Sequence, residues 1–141
     1  MRVLNTDLSG VMRIELESFS DHRGKYTETY NEDAYKRAGI DVHFIQDDIS
    51  FSKKNVLRGI HGDQETYKLV SCLHGSFVLI VVNNDSESEE YKKWITFNLS
   101  GDDEIQILIP PKSEMVILLR VMMQYFTTNK IHTIIQKDNL R

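Results

Sequence analysis

The sequence is poor in the residues that mark several large classes of protein. Its 141 residues include one cysteine, Cys72, and two prolines, which excludes an internal disulfide and a proline-rich disordered tract. Lysine and arginine number 17 against 21 acidic residues, so the net charge of −4 argues against nonspecific binding of nucleic acid. No apolar run approaches the roughly 20 residues of a membrane span, and the first ten residues lack the apolar stretch of a signal peptide. We therefore expect a cytoplasmic protein with no membrane or nucleic-acid partner.

Sequence patterns for metals and for phosphate-binding loops are missing as well. No pair of histidines has the spacing of a recognisable metal site, and neither HxH nor HExxH occurs. There is no P-loop and no GxGxxG motif. The sequence therefore predicts a site that uses neither a metal nor a cofactor.

What is present is a series of short strand signals. Residues alternate between apolar and polar, or form short apolar runs bounded by turns, over 11–17, 24–30, 67–73, 76–82, 91–99 and 104–109. The segments 67–73 and 76–82 flank His74 and Gly75 and are predicted to form a hairpin, and 42–52 is predicted to be extended. Residues 31–40 predict one short helix, with Asn31 as its cap and Gly39 as its stop. This spacing favours an all-β sandwich or barrel.

One cluster of residues suited to catalysis lies in NVLRGIHGDQETYKL. Arg58, His61 and Lys68 are close together there. If 56–60 is a strand, Arg58 and Ile60 share one face and His61 takes the other. A histidine can act as a base at neutral pH, a lysine can stabilise an enolate oxygen, and an arginine can hold a phosphate. The spacing alone also allows an ordinary surface or hydrogen-bonded core histidine.

Two further clusters contain candidate binding residues. Arg23 lies in DHRG, and Glu28 follows four residues after the glycine of that motif. A solvated turn that leads into a strand explains these residues equally well. Gln46 lies in FIQDD, whose amides and carboxylates could read a base or a sugar, although strand ends often carry such residues. Cys72 is predicted to be a buried small hydrophobe and not a nucleophile.

The three clusters together resemble one family, the nucleotide-diphospho-4-keto-6-deoxysugar 3,5-epimerases of the dTDP-4-dehydrorhamnose 3,5-epimerase type. The resemblance spans about residues 10–112 and rests on DHRGKYTE, HFIQDDISFSKKNVLRGIH, YKLVSCLHGSFVLIVVNND, YKKWITFNLS and IQILIPPK. The stretch from His61 to Leu69 is shorter than in the dTDP-rhamnose enzymes. In that respect it looks more like the epimerases that act on GDP-4-keto-6-deoxyheptoses in bacterial capsule synthesis.

The resemblance implies a cupin jelly roll, usually a homodimer, that binds a GDP- or dTDP-linked sugar without a metal. It implies that His61 is the base that removes the proton α to the ketone, and that Lys68 stabilises the enolate. Arg58 and Arg23 would grip the diphosphate, with Arg23 often reaching from the partner subunit. Glu28 and Gln46 would contact the nucleotide, and a tyrosine acid on the far side of the ring would complete inversion at C3 or C5.

The family pattern stops at Lys112, which divides a domain over 1–112 from an atypical tail over 113–141. Codons for the tail can be chosen so that one added T in the first of them yields FGNGHFVKGYDAIFHYKQNTYY, a family-like continuation that includes the HYK tyrosine. We therefore hypothesise a one-base deletion in the gene or its record. If the tail is as written, Tyr125 could replace the tyrosine only by coincidence, and unpaired edges and exposed apolar residues over 116–119 are expected. A selected helix that docks on the barrel is the alternative.

The resulting expectation is an epimerase of a nucleotide-linked 4-keto-6-deoxy sugar in capsule or lipopolysaccharide sugar synthesis, impaired or inactive if the tail is altered. A single-centre epimerase or a ketoisomerase of the same family is one alternative. A non-catalytic cupin that binds a sugar nucleotide is another. A β-sandwich interaction module is a third, although it leaves the coincidence of the three clusters unexplained.

Overall fold

The computed structural model describes residues 1–119 and 127–135, which form twelve strands and one helix. The all-β expectation with one short helix is confirmed. In chain order the elements are β1 (Arg2–Asn5), β2 (Met12–Glu15), β3 (Ser18–Asp21), β4 (Gly24–Thr27), α1 (Glu32–Arg37), β5 (Asp48–Ser52), β6 (Leu57–Asp63), β7 (Thr66–Cys72), β8 (Ser76–Asn83), β9 (Trp94–Ser100), β10 (Ile105–Ile109), β11 (Ser113–Leu119) and β12 (Thr127–Ile135).

The strands form two antiparallel sheets and a separate hairpin. One sheet has the order β1-β2-β10-β7-β12-β5, and the other has the order β6-β11-β8-β9. Strands β3 and β4 pair with each other as the hairpin. Neighbours in each sheet are mostly distant in sequence, which is typical of a sandwich built from long crossovers.

Strand β7 of the six-stranded sheet is buried on both of its faces, between which its side chains alternate. In β7, Val70 joins a cluster with Leu79 of β8 and Ile117 of β11, from the other sheet. The next residue back, Leu69, packs on the opposite face in a cluster with Tyr35 of α1. The first cluster is therefore the core between the sheets, and the second attaches the helix to the outside.

The helix begins and ends where its sequence signals predict. The side-chain oxygen of Asn31 accepts a hydrogen bond of 3.1 Å from the Ala34 N–H, which caps the first turn. Gly39 follows the helix with φ of +88°, a conformation that glycine adopts without strain. The regular helix is shorter than the predicted 31–40, and of the predicted extended segment 42–52 only β5 is a strand.

The predicted hairpin around His74 and Gly75 is wrong, because β7 and β8 lie in different sheets. Strand β7 pairs with β10 and β12, and β8 pairs with β11 and β9, so both hydrogen-bonding edges of each strand are occupied. The turn therefore carries the chain from one sheet to the other. A local turn signal shows that the chain reverses direction, but not which strand becomes the neighbour.

The expectation of unpaired edges over 116–119 is wrong for β11, and the expectation of exposed apolar residues there is confirmed for Leu118 but not for Ile117. Strand β11 lies between β6 and β8 and pairs with both. Met115 and Ile117 are 2% and 1% exposed in the core, whereas Leu118 on the other face is 37% exposed. The alternation was hidden in the sequence because both faces of this strand carry apolar residues. Strand β12 pairs along its backbone with β7 and β5.

Candidate active site

A cavity of about 440 Å³ opens among strands β5, β6, β7 and β11. Three of the predicted site residues line it together: Arg58, His61 and Lys68. The remaining lining residues are Asp48, Ser50, Ile60, Gly62, Asp63, Met115 and Ile117. The cavity therefore combines a histidine, two cations and two carboxylates with an apolar side.

A bulge in β6 turns Arg58 and His61 toward the same side. Met115 pairs with His61, and Ile117 pairs with Arg58. A spacing of two residues along β11 therefore lies opposite a spacing of three residues along β6. Met115 and Ile117 share a face because they are two residues apart, and so their partners on β6 share it as well. The prediction that His61 takes the face opposite Arg58 is wrong, because strict alternation does not hold through the extra residue.

Lys68 is a buried cation in the cavity wall. It belongs to β7, and its side chain is only 8% exposed. Its Nζ donates a hydrogen bond of 3.1 Å to Oδ2 of Asp63, the last residue of β6. A buried ammonium group needs such a partner because the loss of water around a charge costs free energy.

Asp63 is held by its own turn as well as by Lys68. Its Oδ1 accepts backbone hydrogen bonds from Glu65 at 3.0 Å and from Thr66 at 2.5 Å. Desolvation works to raise the pKa of Asp63, but the hydrogen bonds from Thr66, Glu65 and Lys68 outweigh it and lower the pKa to about 2. The carboxylate is therefore ionised at neutral pH.

Arg58 is anchored to the neighbouring strand β5. Its Nε donates a hydrogen bond of 2.6 Å to Oγ of Ser52, and one terminal nitrogen donates at 3.1 Å to the Phe51 carbonyl oxygen. Ser52 is buried. These bonds use part of the guanidinium and fix its direction, which leaves its other N–H groups available to an anion in the cavity.

The other three predicted site residues lie outside the cavity wall. Arg23 is in the turn of the β3–β4 hairpin, where it pairs with Asp21 at 2.6 Å and lowers the pKa of that carboxyl group. Glu28 is exposed just after β4. Gln46 is also exposed, and its amide donates a hydrogen bond of 2.8 Å to Asp48, which does line the cavity.

Asp63 is the residue of this site that sequence reasoning missed. A signal was present, because Asp followed three residues later by Thr in a short turn between two strands is typical of an Asx turn. That turn brings position 63 back beside position 68. Asp48 and Ser50 were included in a cluster, but not as cavity residues.

The part of the chain that the structure describes contains neither a cluster of metal-binding side chains nor a helix that could cross a membrane. Over 1–119 and 127–135 no group of three or more histidine, cysteine, aspartate or glutamate side chains could hold a metal ion. Within the same part of the chain, no helix is long and apolar enough to cross a membrane.

Tyr125 lies outside the residues that the structure describes. Cys72 is buried as predicted, and desolvation raises the pKa of its thiol to about 11, so it is a poor nucleophile.

Known sequences match most of the chain. The model of the dTDP-4-dehydrorhamnose 3,5-epimerase family matches residues 5–133, which extends past Lys112. The dTDP-4-dehydrorhamnose 3,5-epimerase of Escherichia coli K12 is 36% identical over 139 residues, covering 94% of this chain and 75% of the relative. That of Salmonella typhimurium is 38% identical over 114 residues, covering 78% of this chain and 62% of the relative. The chain thus spans between about three fifths and three quarters of these relatives' length.

Solved structures show the same fold. A dTDP-4-dehydrorhamnose 3,5-epimerase from Bacillus anthracis, solved with TDP and PPi bound, has a TM-score of 0.88 at 25% identity, covering 98% of this chain and 79% of that one. An epimerase from Legionella pneumophila, solved with dTDP-4-keto-L-rhamnose, has a TM-score of 0.87 at 27% identity, covering 97% and 73%. From these matches over nearly its whole length, the chain belongs to the dTDP-4-dehydrorhamnose 3,5-epimerase family, a family of cupin-type sugar epimerases.

Proposed function

We propose that this chain removes the proton α to the ketone of a nucleotide-diphosphate-linked 4-keto-6-deoxy sugar, as the proton-abstracting step of a C3 or C5 epimerisation. One observation carries the proposal: His61, Lys68 and Arg58 line a single cavity. A base, an oxyanion stabiliser and a phosphate ligand are the three functions that this chemistry needs. Membership of the epimerase family supports the same reaction.

In the proposed step, a neutral ring nitrogen of His61 takes the proton from carbon, and the bonding electrons move to the ketone oxygen. The ammonium group of Lys68 donates a hydrogen bond to the enolate oxygen that forms. Lys68 is suited to this role because it is buried, where a charged donor acts in a low dielectric and is worth more than in water. Return of a proton to the same carbon restores the ketone, so the step balances without a cofactor.

Arg58 and Arg23 are proposed to bind the diphosphate from two subunits of a homodimer. Arg23 does not line its own chain's cavity, and the hairpin that carries it exposes Phe19 and Tyr26 at 70% and 68%. Exposed aromatic side chains at this level are typical of an interface between proteins. A partner that covers this hairpin would bring Arg23 toward a second active site.

Glu28 and Gln46 are proposed to contact the nucleotide, since both are exposed and Gln46 is bonded to the cavity residue Asp48. The names of the relatives make a dTDP-linked sugar the first substrate to test. The short His61–Leu69 segment is the reason to include a GDP-linked hexose or heptose. A cytoplasmic location and a place in capsule or lipopolysaccharide sugar synthesis stay predictions.

A specific observation favours a second candidate function, in which the protein does not invert the configuration at the sugar carbon. No tyrosine is among the described residues that line the cavity, so no acid opposite His61 is evident in that part of the chain. Such a protein would exchange the proton without inverting the carbon, or would bind the sugar nucleotide only. The hypothesis of a one-base deletion after Lys112 predicts this loss, since the restored frame carries the HYK tyrosine.

The test is deuterium uptake from D₂O into dTDP- and GDP-linked 4-keto-6-deoxy sugars, followed by mass spectrometry. Uptake that depends on His61, with His61→Ala as the control, is the expected result. Inversion by the chain as written is the result expected of an epimerase, and inversion by the frame-restored chain alone is the result expected of the second candidate. Binding of dTDP without uptake from either chain would replace the enzyme with the binding protein. Resequencing the coding region decides independently whether a base is missing.

A further inference from the structure

Asp63 is held in place from three directions. Its side chain closes the two-residue turn between β6 and β7 by accepting the backbone N–H groups of Glu65 and Thr66. Its own carbonyl oxygen accepts a hydrogen bond of 2.9 Å from the Lys112 N–H. It also pairs with Ser113 across to β11. A carboxylate with so little freedom is well suited to hold another group still.

The group that it holds is the ammonium of Lys68. The distance from Nζ to Oδ2 is 3.1 Å, and the lysine side chain is 8% exposed against 43% for Asp63. The lysine is thus the buried partner of the pair, and Asp63 is the more exposed one. One N–H of the ammonium is committed to Asp63, and its direction fixes where the other two point.

We propose that Asp63 is the positioning residue for Lys68: its carboxylate holds the ammonium in the cavity wall with two N–H groups free for the substrate. This inference rests on the proposed function, in which Lys68 stabilises the enolate. Asp63 acts through Lys68 and needs no contact with the sugar.

The other charged and titratable groups around the cavity do not take this role. Asp48, the second carboxylate, accepts its hydrogen bond from Gln46. Arg58 is held by β5, and like Lys68 it is a cation, so it cannot balance the lysine's charge. His61 lies on β6, where the backbone pairs with Met115 of β11. Among the described residues of the cavity, Asp63 is the carboxylate bonded to Lys68.

The tight turn is what creates the pair. Only Gln64 and Glu65 separate β6 from β7, so Asp63 and Lys68 lie five residues apart on adjoining strand ends. A longer connection would free the end of β6 from Thr66. The short segment between His61 and Leu69 is therefore the feature that makes an aspartate at this position useful.

The decisive variant is Asp63→Asn, which keeps a side-chain oxygen for the turn but removes the charge. The matched control is Asp85→Asn. Asp85 also pairs with a lysine at 3.1 Å, through Lys112, and also accepts the N–H of the residue two positions on, but it lies outside the cavity. Loss of an ion pair and weakening of a turn are thus common to both variants, although Lys112 is 44% exposed and Lys68 is 8% exposed.

Two measurements are made on the full chain. The first is the rate of deuterium uptake at saturating substrate, together with the dissociation constant for dTDP. We expect Asp63→Asn to slow uptake by about 10–100-fold, because a displaced catalytic group is costly, while dTDP binding stays within about threefold because Arg58 is unchanged. The second is competitive acylation of lysines read by mass spectrometry, in which Lys68 should label at least about threefold faster once its counter-ion is gone.

The outcomes separate the two proposals. Uptake by the parent chain that Asp63→Asn leaves unchanged would overturn the positioning role and leave the proposed function standing. Equal losses in Asp63→Asn and Asp85→Asn would also overturn it, since a structural effect would then suffice. If the parent chain shows no uptake at all, the proposed function fails for this chain and the positioning role fails with it. Where the parent chain does show uptake, unchanged labelling of Lys68 in Asp63→Asn rejects the inference.

Discussion

Replacement of Lys68 by methionine tests the proposed chemistry most directly. Methionine has similar length and suits the apolar core around β7, but it has no charge and no donor. In the native chain the ammonium has three N–H groups, one of them bonded to Asp63 at 3.1 Å. Lys68→Met therefore removes both donors that we assign to the enolate and leaves the shape of the wall nearly unchanged.

The size of the effect follows from the burial of this group. Loss of one preorganised donor to a developing oxyanion lowers a rate by about 10²–10³-fold, or about 3–4 kcal/mol. Lys68 falls in this class because its side chain is 8% exposed. The free energy of unfolding should change by no more than about 1 kcal/mol, because Asp63 is 43% exposed and keeps its two backbone hydrogen bonds.

The assay is deuterium uptake at saturating substrate, with the dissociation constant for dTDP and the urea midpoint measured on the same preparations. The control is Lys112→Met, because Lys112 pairs with Asp85 at the same 3.1 Å outside the cavity. Uptake should fall only in Lys68→Met. Uptake at the parent rate in Lys68→Met, with a folded protein, would refute the assignment of Lys68 to the enolate.

Three further predictions concern stability. Phe77→Ala should lower the free energy of unfolding by about 3–5 kcal/mol, because Phe77 is 1% exposed between the sheets; a loss under about 1 kcal/mol in urea titration would contradict that packing. Gly62→Ala should cost about 1–3 kcal/mol and slow uptake, since its Cβ would lie 2.6 Å from the Ser113 carbonyl oxygen and force β6 and β11 apart; an unchanged urea midpoint would argue against that close approach. The pKa of Asp63 is lowered on folding, so its contribution is present above its unfolded value and is lost as pH falls from about 4 toward its folded value of about 2. Asp63→Asn should abolish that loss, about 1 kcal/mol after allowance for its exposure; an equal acid dependence in both proteins would refute it.

Several parts of the fold could be predicted from local sequence. The helix was recognisable because Asn31 and Gly39 act on the nearest turn, and no distant residue is needed for a cap or a stop. The strand around 104–109 was recognisable from its apolar run. The pairing of β7 and β8 was not, since a turn leaves the choice of neighbour to the edges that other strands occupy.

For the candidate site as well, the sequence identified the residues but not how they are oriented. NVLRGIH and YKL were enough to nominate Arg58, His61 and Lys68, and the structure does bring these three to one cavity. Their orientation was predicted wrongly, because alternation fails where β6 gains a residue against β11. That bulge depends on pairing with a strand more than fifty residues away. The sequence close to His61 therefore does not carry the information that predicts it.

The sequence by itself determined the residue types of the chemistry, the all-β class and the family, since each depends on composition, on local alternation or on short ordered motifs. Only the tertiary structure decided which of these residues meet. It placed β11 between β6 and β8, turned Arg58 and His61 to one side, and put Asp63 against Lys68. The physical reason is that pairing and burial are settled between segments distant in sequence, where the free energy of the whole sandwich selects the neighbours.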